Sequence, residues 1–169
     1  MLPATYRIHP TPLGEALLVS TTDGLVHVQL LDAPLAHALA PVALALRAAP
    51  VPDDAVTDAE EWLDAYFEGE RGPCPAALDW RLAHGFTRRA LDAIRDIPYG
   101  ETATYGEIAA AAGSRRAHRA VGTACATTPF SLVIPVHRVV RADGNIGEYG
   151  GRPDIKRALL ELEGALPSR

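Results

Sequence analysis

Residues 15–31, EALLVSTTDGLVHVQLL, restrict the fold of this chain more than any other stretch. Two runs rich in β-branched and apolar residues flank Asp23-Gly24. Such a pair favours a tight hairpin, because glycine takes a positive φ without a steric penalty. With the strand-like TYRIH at residues 5–9 before them, these runs predict an antiparallel sheet over the first third of the chain.

The pattern then becomes helical. The alanine- and leucine-rich stretch Leu35–Arg47 fits a helix with a buried face, and Thr57–Glu68 fits an amphipathic one with Trp62, Leu63, Tyr66 and Phe67 on one side. A loop follows, then a short expected strand, Leu78–Leu82. A boundary at AHGF, residues 83–86, gives a domain over 1–83 and a second over 84–169. The second reads as helices broken by turns. TRRALDAIRDI ends before Pro98-Tyr99-Gly100, and Thr104 with Glu107 forms a capping box for a helix over Tyr105–Ala112. Gly113 stops that helix, Ser114 is placed to cap the next, and Arg115–Ala126 carries Ala117, Ala120, Val121 and Ala124 as a stripe. Two short helices around a glycine are a helix-turn-helix signature, although ordinary cores also contain such pairs.

The chain carries a net charge of −5, but unevenly: residues 1–83 hold four Arg against twelve acids, and 84–169 hold eleven Arg and one Lys against nine acids. The halves are therefore −8 and +3, which marks the second as the one suited to a polyanion. No apolar run is long enough to span a membrane, and MLPATYRIHP shows no secretory pattern. Cys74 and Cys125 are far apart, which predicts neither a disulfide framework nor a metal site and fits a reducing cytoplasm.

Arg115, Arg116, His118 and Arg119 cluster at the start of the second short helix, where basic side chains and the helix dipole suit phosphate contact; a solvated basic face reads equally well. Further on, IPVHRVV places His137 and Arg138 after Pro135, with an inert Val136 between. Pro153 can start a last helix that Gly164 ends, which puts Glu163 at the dipole's negative end. Either Glu163 pairs with His137 and orients it as a base, or Glu163 is exposed and His137 is an ordinary loop histidine. GNIGEYGG lacks the Lys-Ser/Thr and strand context of a phosphate loop.

YGETATYGEIAAAAG, RAVGTA, IPVHRVVRADG and GEYGGRPDIKRALLELEG together resemble the O6-alkylguanine-DNA alkyltransferases, the methylated-DNA–protein-cysteine methyltransferase family. The match runs from about Phe86 to Ala165; the first half resembles the family's small domain more loosely, chiefly in TPLGEALLVSTTDGLVHVQL. The resemblance implies an α/β (α+β) fold. A small N-terminal domain with an antiparallel sheet and helices precedes a mostly α, winged-helix-like helix-turn-helix DNA-binding domain. It implies a cytoplasmic, nucleoid-associated monomer, without cofactor or metal, that binds O6-alkylguanine in duplex DNA through the minor groove and flips the base.

By motif position Arg119 matches the arginine that fills the vacated stack, and Tyr105 the tyrosine that assists flipping. Arg138 is read with Arg115 and Arg116 as a DNA contact. Val139, Tyr149 and Gly150 match the guanine pocket wall, which Cys125, Pro135 and Val136 complete. His137 and Glu163 match the pair that activates the acceptor thiol through a water. Two positions depart from the family: Val136 stands where the acceptor cysteine belongs, and Thr128 where an asparagine usually steadies the loop. Transfer needs a thiolate lone pair, and an isopropyl group has none.

The leading expectation is an alkyltransferase-like sensor, which holds the lesion and flags it for nucleotide excision repair proteins. The alternative is a methylated-DNA–protein-cysteine S-methyltransferase whose acceptor cysteine was changed, with a variant in which Cys125 takes over as nucleophile. A third reading is a helix-turn-helix binder indifferent to lesions.

Overall fold

The computed structural model describes residues 3–166; the outer ends of both expected domains, residues 1–2 and 167–169, lie outside the described residues. The chain divides into two compact units, residues 1–82 with 129–133, and residues 83–128 with 134–169. The chain passes from the first unit to the second after residue 82 and returns to the first at 129–133.

In the first unit, β1 (Ala4–Thr11), β2 (Gly14–Thr21) and β3 (Gly24–Leu30) form an antiparallel meander. Thr21 pairs with Gly24, so the hairpin loop is Thr22-Asp23 and Gly24 opens β3. Gly24 has a φ of 138°, and a Cβ there would collide with the Ala77 carbonyl, so the position requires glycine. The segment Val51-Pro52, expected as loop, forms β4 and pairs parallel with β1, giving the order β3-β2-β1-β4. Proline is tolerated there because β4 is an edge.

Helix α1 (Leu35–Leu46) covers one sheet face, where Val42 packs with Ala4, Leu17, Val19 and Val26. Helix α2 (Asp58–Phe67) buries Leu63 and Tyr66 as its pattern predicts, and also Ala59 and Glu60. The Glu60 carboxylate is held by Arg7 from β1, a buried charge answered by a cation. Trp62 donates from Nε1 to the Gly72 carbonyl at 2.8 Å.

The strand expected at Leu78–Leu82 is instead a single bridge from Leu78 to Leu25 followed by a 3₁₀ turn, Trp80–Leu82. Asp79 causes the bend: its carboxylate accepts from the Arg81 backbone N–H at 3.1 Å and from Arg81 Nε at 2.7 Å. Beside β3, Val28 donates to the Pro129 carbonyl at 2.7 Å and accepts from the Ser131 N–H at 3.2 Å. Those bonds explain why 129–133 belongs to this unit.

The second unit is helical: α3 (Gly85–Arg95), α4 (Tyr105–Ala111), α5 (His118–Ala126) and α6 (Pro153–Leu162). Its core draws Leu91 and Ile94 from α3, Ile108 and Ala109 from α4, Val121 and Ala124 from α5, and Leu159 and Leu160 from α6. Ala120, expected on the apolar stripe of α5, is exposed. Helix α5 starts three residues later than expected. Its N-cap is Ala117 with no side-chain cap, and Ser114 contributes only its carbonyl, to the Ala117 N–H at 3.0 Å.

A two-residue parallel pair between β5 (Ala103-Thr104) and β6 (Val139-Val140) was not legible in the sequence. It fastens the start of α4 to the segment after His137. Half of the capping box forms: Thr104 Oγ1 accepts from the Glu107 N–H at 3.1 Å. Glu107 closes it by accepting from the Thr104 hydroxyl at 3.2 Å rather than from the Thr104 N–H, because Thr104 is still in β5.

Thr104→Ala should therefore lower stability by about 1 kcal/mol. Urea unfolding should show a lower midpoint at unchanged m; an unchanged midpoint would show that the cap contributes nothing.

Candidate functional site

The strongest polar constellation of the second unit is built on Glu163. This residue caps the C-terminus of α6, where backbone carbonyls make a carboxylate unfavourable, yet it is buried. Two other segments of the chain bring donors to its carboxylate. In the 3₁₀ turn Val136–Arg138, Arg138 donates from Nε to Oε1 at 2.7 Å and from Nη2 to Oε2 at 3.1 Å. His137 Nε2 donates to Oε2 at 2.7 Å, and the Gly100 N–H lies 3.4 Å from Oε1. Arg138 also donates from Nη1 to the Ile97 carbonyl at 2.6 Å. Fork-to-fork bonding of this kind is both strong and directional.

Two outcomes follow for the expected residues. His137 and Glu163 do form a direct buried pair, so the reading of an ordinary loop histidine falls. Arg138 is corrected: its guanidinium is spent inward on Glu163 and Ile97, and the residue is 9% exposed, so it is not presented to a phosphate. Sequence alone sees an arginine beside a histidine; the burial comes from the carboxylate of a distant helix.

Burial holds the His137 imidazole below its ordinary value, with Glu163 opposing the shift. With the Nε2 hydrogen committed to Glu163, Nδ1 carries the lone pair. Nδ1 is buried and has no hydrogen-bond partner among the described residues. That is the arrangement of a base awaiting a proton donor. Its chain neighbour Val136, 4% exposed, offers none.

A second group forms around Tyr105, the half-buried first residue of α4. Lys156 of α6 is 0% exposed and donates from Nζ to the Val139 carbonyl at 2.6 Å and the Glu148 carbonyl at 3.4 Å. Its Nζ lies 5.9 Å from the centre of the Tyr105 ring. Cys125 of α5 belongs to the same environment: burial pushes its thiol up to about 12, with the Lys156 charge drawing it partly back. At neutral pH this thiol holds its proton, which argues against Cys125 as a nucleophile. Pro135 and Val139 are buried, Tyr149 is half-buried, and Gly150 is exposed at a φ of 54°.

Lys156 is the residue that the sequence reading missed. It is the only lysine of the chain, and in PDIKRALLELEG it falls on the apolar stripe with Leu159, Leu160 and Glu163. A charge on such a stripe was the available signal.

Arg115 and Arg116 precede α5, while His118 and Arg119 occupy its first turn; all four are exposed. They form a basic edge next to the end of α4, the placement that phosphate contact requires.

The fold is thus a β-sheet unit followed by a helical unit that holds a buried His–Glu–Arg cluster and carries exposed arginines at the start of α5. Comparison with known proteins identifies the class. Residues 85–165 match the family described as 6-O-methylguanine DNA methyltransferase, DNA binding domain, and residues 4–79 match its ribonuclease-like domain. A methylated-DNA–protein-cysteine methyltransferase of Methanosarcina acetivorans is 36% identical over 95% of this chain and 98% of its own. The crystal structure of the Mycobacterium tuberculosis O6-methylguanine methyltransferase superposes with a TM-score of 0.80 at 36% identity, covering 98% of this chain and 96% of its own. The M. tuberculosis protein in complex with DNA gives a TM-score of 0.80 over 95% of this chain and 93% of its own. The chain belongs to the 6-O-methylguanine DNA methyltransferase family.

The buried pair makes a prediction. As pH falls below the ordinary histidine value of about 6.5, the unfolded chain takes up a proton at residue 137 that the folded chain refuses. Stability is full above that value and falls as pH drops toward the depressed folded value. His137→Gln should lose less stability than the wild type between about pH 7 and 5 in urea titrations. Parallel curves would mean that His137 is not held neutral.

Proposed function

We propose that this chain recognises O6-alkylguanine in duplex DNA on a methylated-DNA–protein-cysteine methyltransferase scaffold, with Val136 at the acceptor position, so that it holds the lesion without accepting the alkyl group. The observation that carries this is the intact His137–Glu163 pair, with an unpartnered Nδ1, beside a residue with no proton to give. The base-side apparatus is present and the nucleophile is absent.

In this reading the α4–α5 pair acts as a helix-turn-helix on the minor groove, and Arg119 enters the stack as the guanine leaves it. Tyr105, Val139 and the glycine-rich loop through Tyr149-Gly150 receive the base. Flipping costs a few kcal/mol, which stacking and arginine insertion offset. The scaffold is read as a methyltransferase's because the relative from M. acetivorans is matched over 98% of its length, both units included. A second reading, a sensor that passes lesions to nucleotide excision repair proteins, draws on the same valine.

The test is fluorescence anisotropy at fixed near-physiological salt, with one duplex carrying a single O6-methylguanine and its undamaged twin. The wild type should prefer the lesion and show no gain in mass after exposure. Equal affinity would leave a DNA binder without lesion recognition. Arg119→Ala should lose mostly the preference, whereas a lesion-indifferent binder would lose affinity for both duplexes alike.

Val136→Cys should gain one methyl group per molecule, mapped to residue 136. If it binds the lesion and gains nothing, the methyltransferase-scaffold reading is wrong.

A further inference from the structure

The fully buried Lys156 plays no part in the cluster around Glu163, and its placement calls for a role of its own. Its ammonium bridges β6, through the Val139 carbonyl, and the loop before α6, through the Glu148 carbonyl. That loop carries Gly144, Gly147, Gly150 and Gly151, all at positive φ, and glycines confer little stiffness of their own. Gly147 lies between the lysine and the tyrosine. A Cβ built there would come 3.1 Å from the Tyr105 hydroxyl and 3.5 Å from Lys156 Nζ. The two donor bonds, the glycine and the tyrosine are therefore one packed unit.

We propose that Lys156 is a positioning residue for lesion recognition, tying β6 and the glycine-rich loop together against Tyr105 so that their backbone groups meet the guanine edge at fixed spacing. This rests on the reading of the Tyr105 face as the alkylguanine pocket. A flexible loop would have to be ordered at each binding event, and a lysine that orders it beforehand removes that cost.

The arrangement is sensitive to pH through one group. Lys156 is faced by Tyr105 from α4, Cys125 from α5, Arg141 and Glu148 from the loop, and His137 from the 3₁₀ turn. Burial pushes Tyr105 and Cys125 up and His137 down, so none of those three changes charge between about pH 7 and 9. Burial brings Lys156 itself down to about 8. Its folded value lies below the ordinary one, so the ammonium that donates to the Val139 and Glu148 carbonyls is present below about 8 and is lost above.

Three measurements test the proposal. In the wild type, the preference for the O6-methylguanine duplex over its undamaged twin should fall as pH rises through about 8. Cε labelling of the single lysine should report a titration in the same range. Lysine-to-methionine substitution, Lys156→Met, should reduce the preference by roughly tenfold, leave binding to undamaged duplex unchanged, and remove the pH dependence. Hydrogen exchange of residues 141–152 should accelerate in Lys156→Met and in Gly147→Ala, while α3 exchanges as before.

A wild-type chain without lesion preference overturns the pocket reading and the positioning role with it. A wild-type preference that Lys156→Met retains, or that is flat across this pH range, overturns the positioning role alone. Unaltered exchange over 141–152 in Lys156→Met also overturns it, without reference to DNA.

Discussion

The second unit depends on one carboxylate. Glu163 sits where a helix end repels negative charge, and in the interior a guanidinium, an imidazole and a backbone N–H converge on it. Removing the Arg138 guanidinium would take its fork-to-fork cation from a buried carboxylate, a cost of several kcal/mol. Because the partners come from the turn after α3 and from the 3₁₀ turn, the cluster ties the backbone that follows Val136 to the end of α6. The geometry around His137 therefore does not depend on the side chain at position 136: the cluster is structural before it is chemical.

This explains how much could be read beforehand. The hairpin, α1, α2 and the helices of the second half follow from local patterns, and their limits were misread mainly where a side chain intervened. Asp79 turns an expected strand into a 3₁₀ turn, and the capping box closes through Thr104's own hydroxyl. Of the candidate site, the His137–Glu163 pairing was one of two readings that spacing left open. The inward turn of Arg138 was not legible, because it depends on a carbonyl and a carboxylate brought together only by the tertiary fold, whereas the burial of Lys156 was signalled by its place on the apolar stripe of α6.

The two polar groups of this unit divide the work. Around Glu163 every strong donor is committed within the protein, which gives rigidity and leaves only His137 Nδ1 open. Along the start of α5 the arginines are exposed and uncommitted to the core. The interior cluster is rigid because its charges are answered within the protein, while the arginines at the start of α5 face solvent and add to the positive potential there.

The segment 129–133 has a consequence for how the molecule comes into being. It supplies backbone partners to Val28 on β3, which lies at the sheet's edge. A chain emerging from the ribosome would expose that flank of β3 until residues some hundred positions later had been made, since folding units complete only when their last strand or segment arrives. The N-terminal unit thus cannot be completed from the first half of the chain alone. Its completion waits on a stretch encoded just ahead of the Val136 loop, and a cut between the two halves of the gene would sever one unit from part of itself.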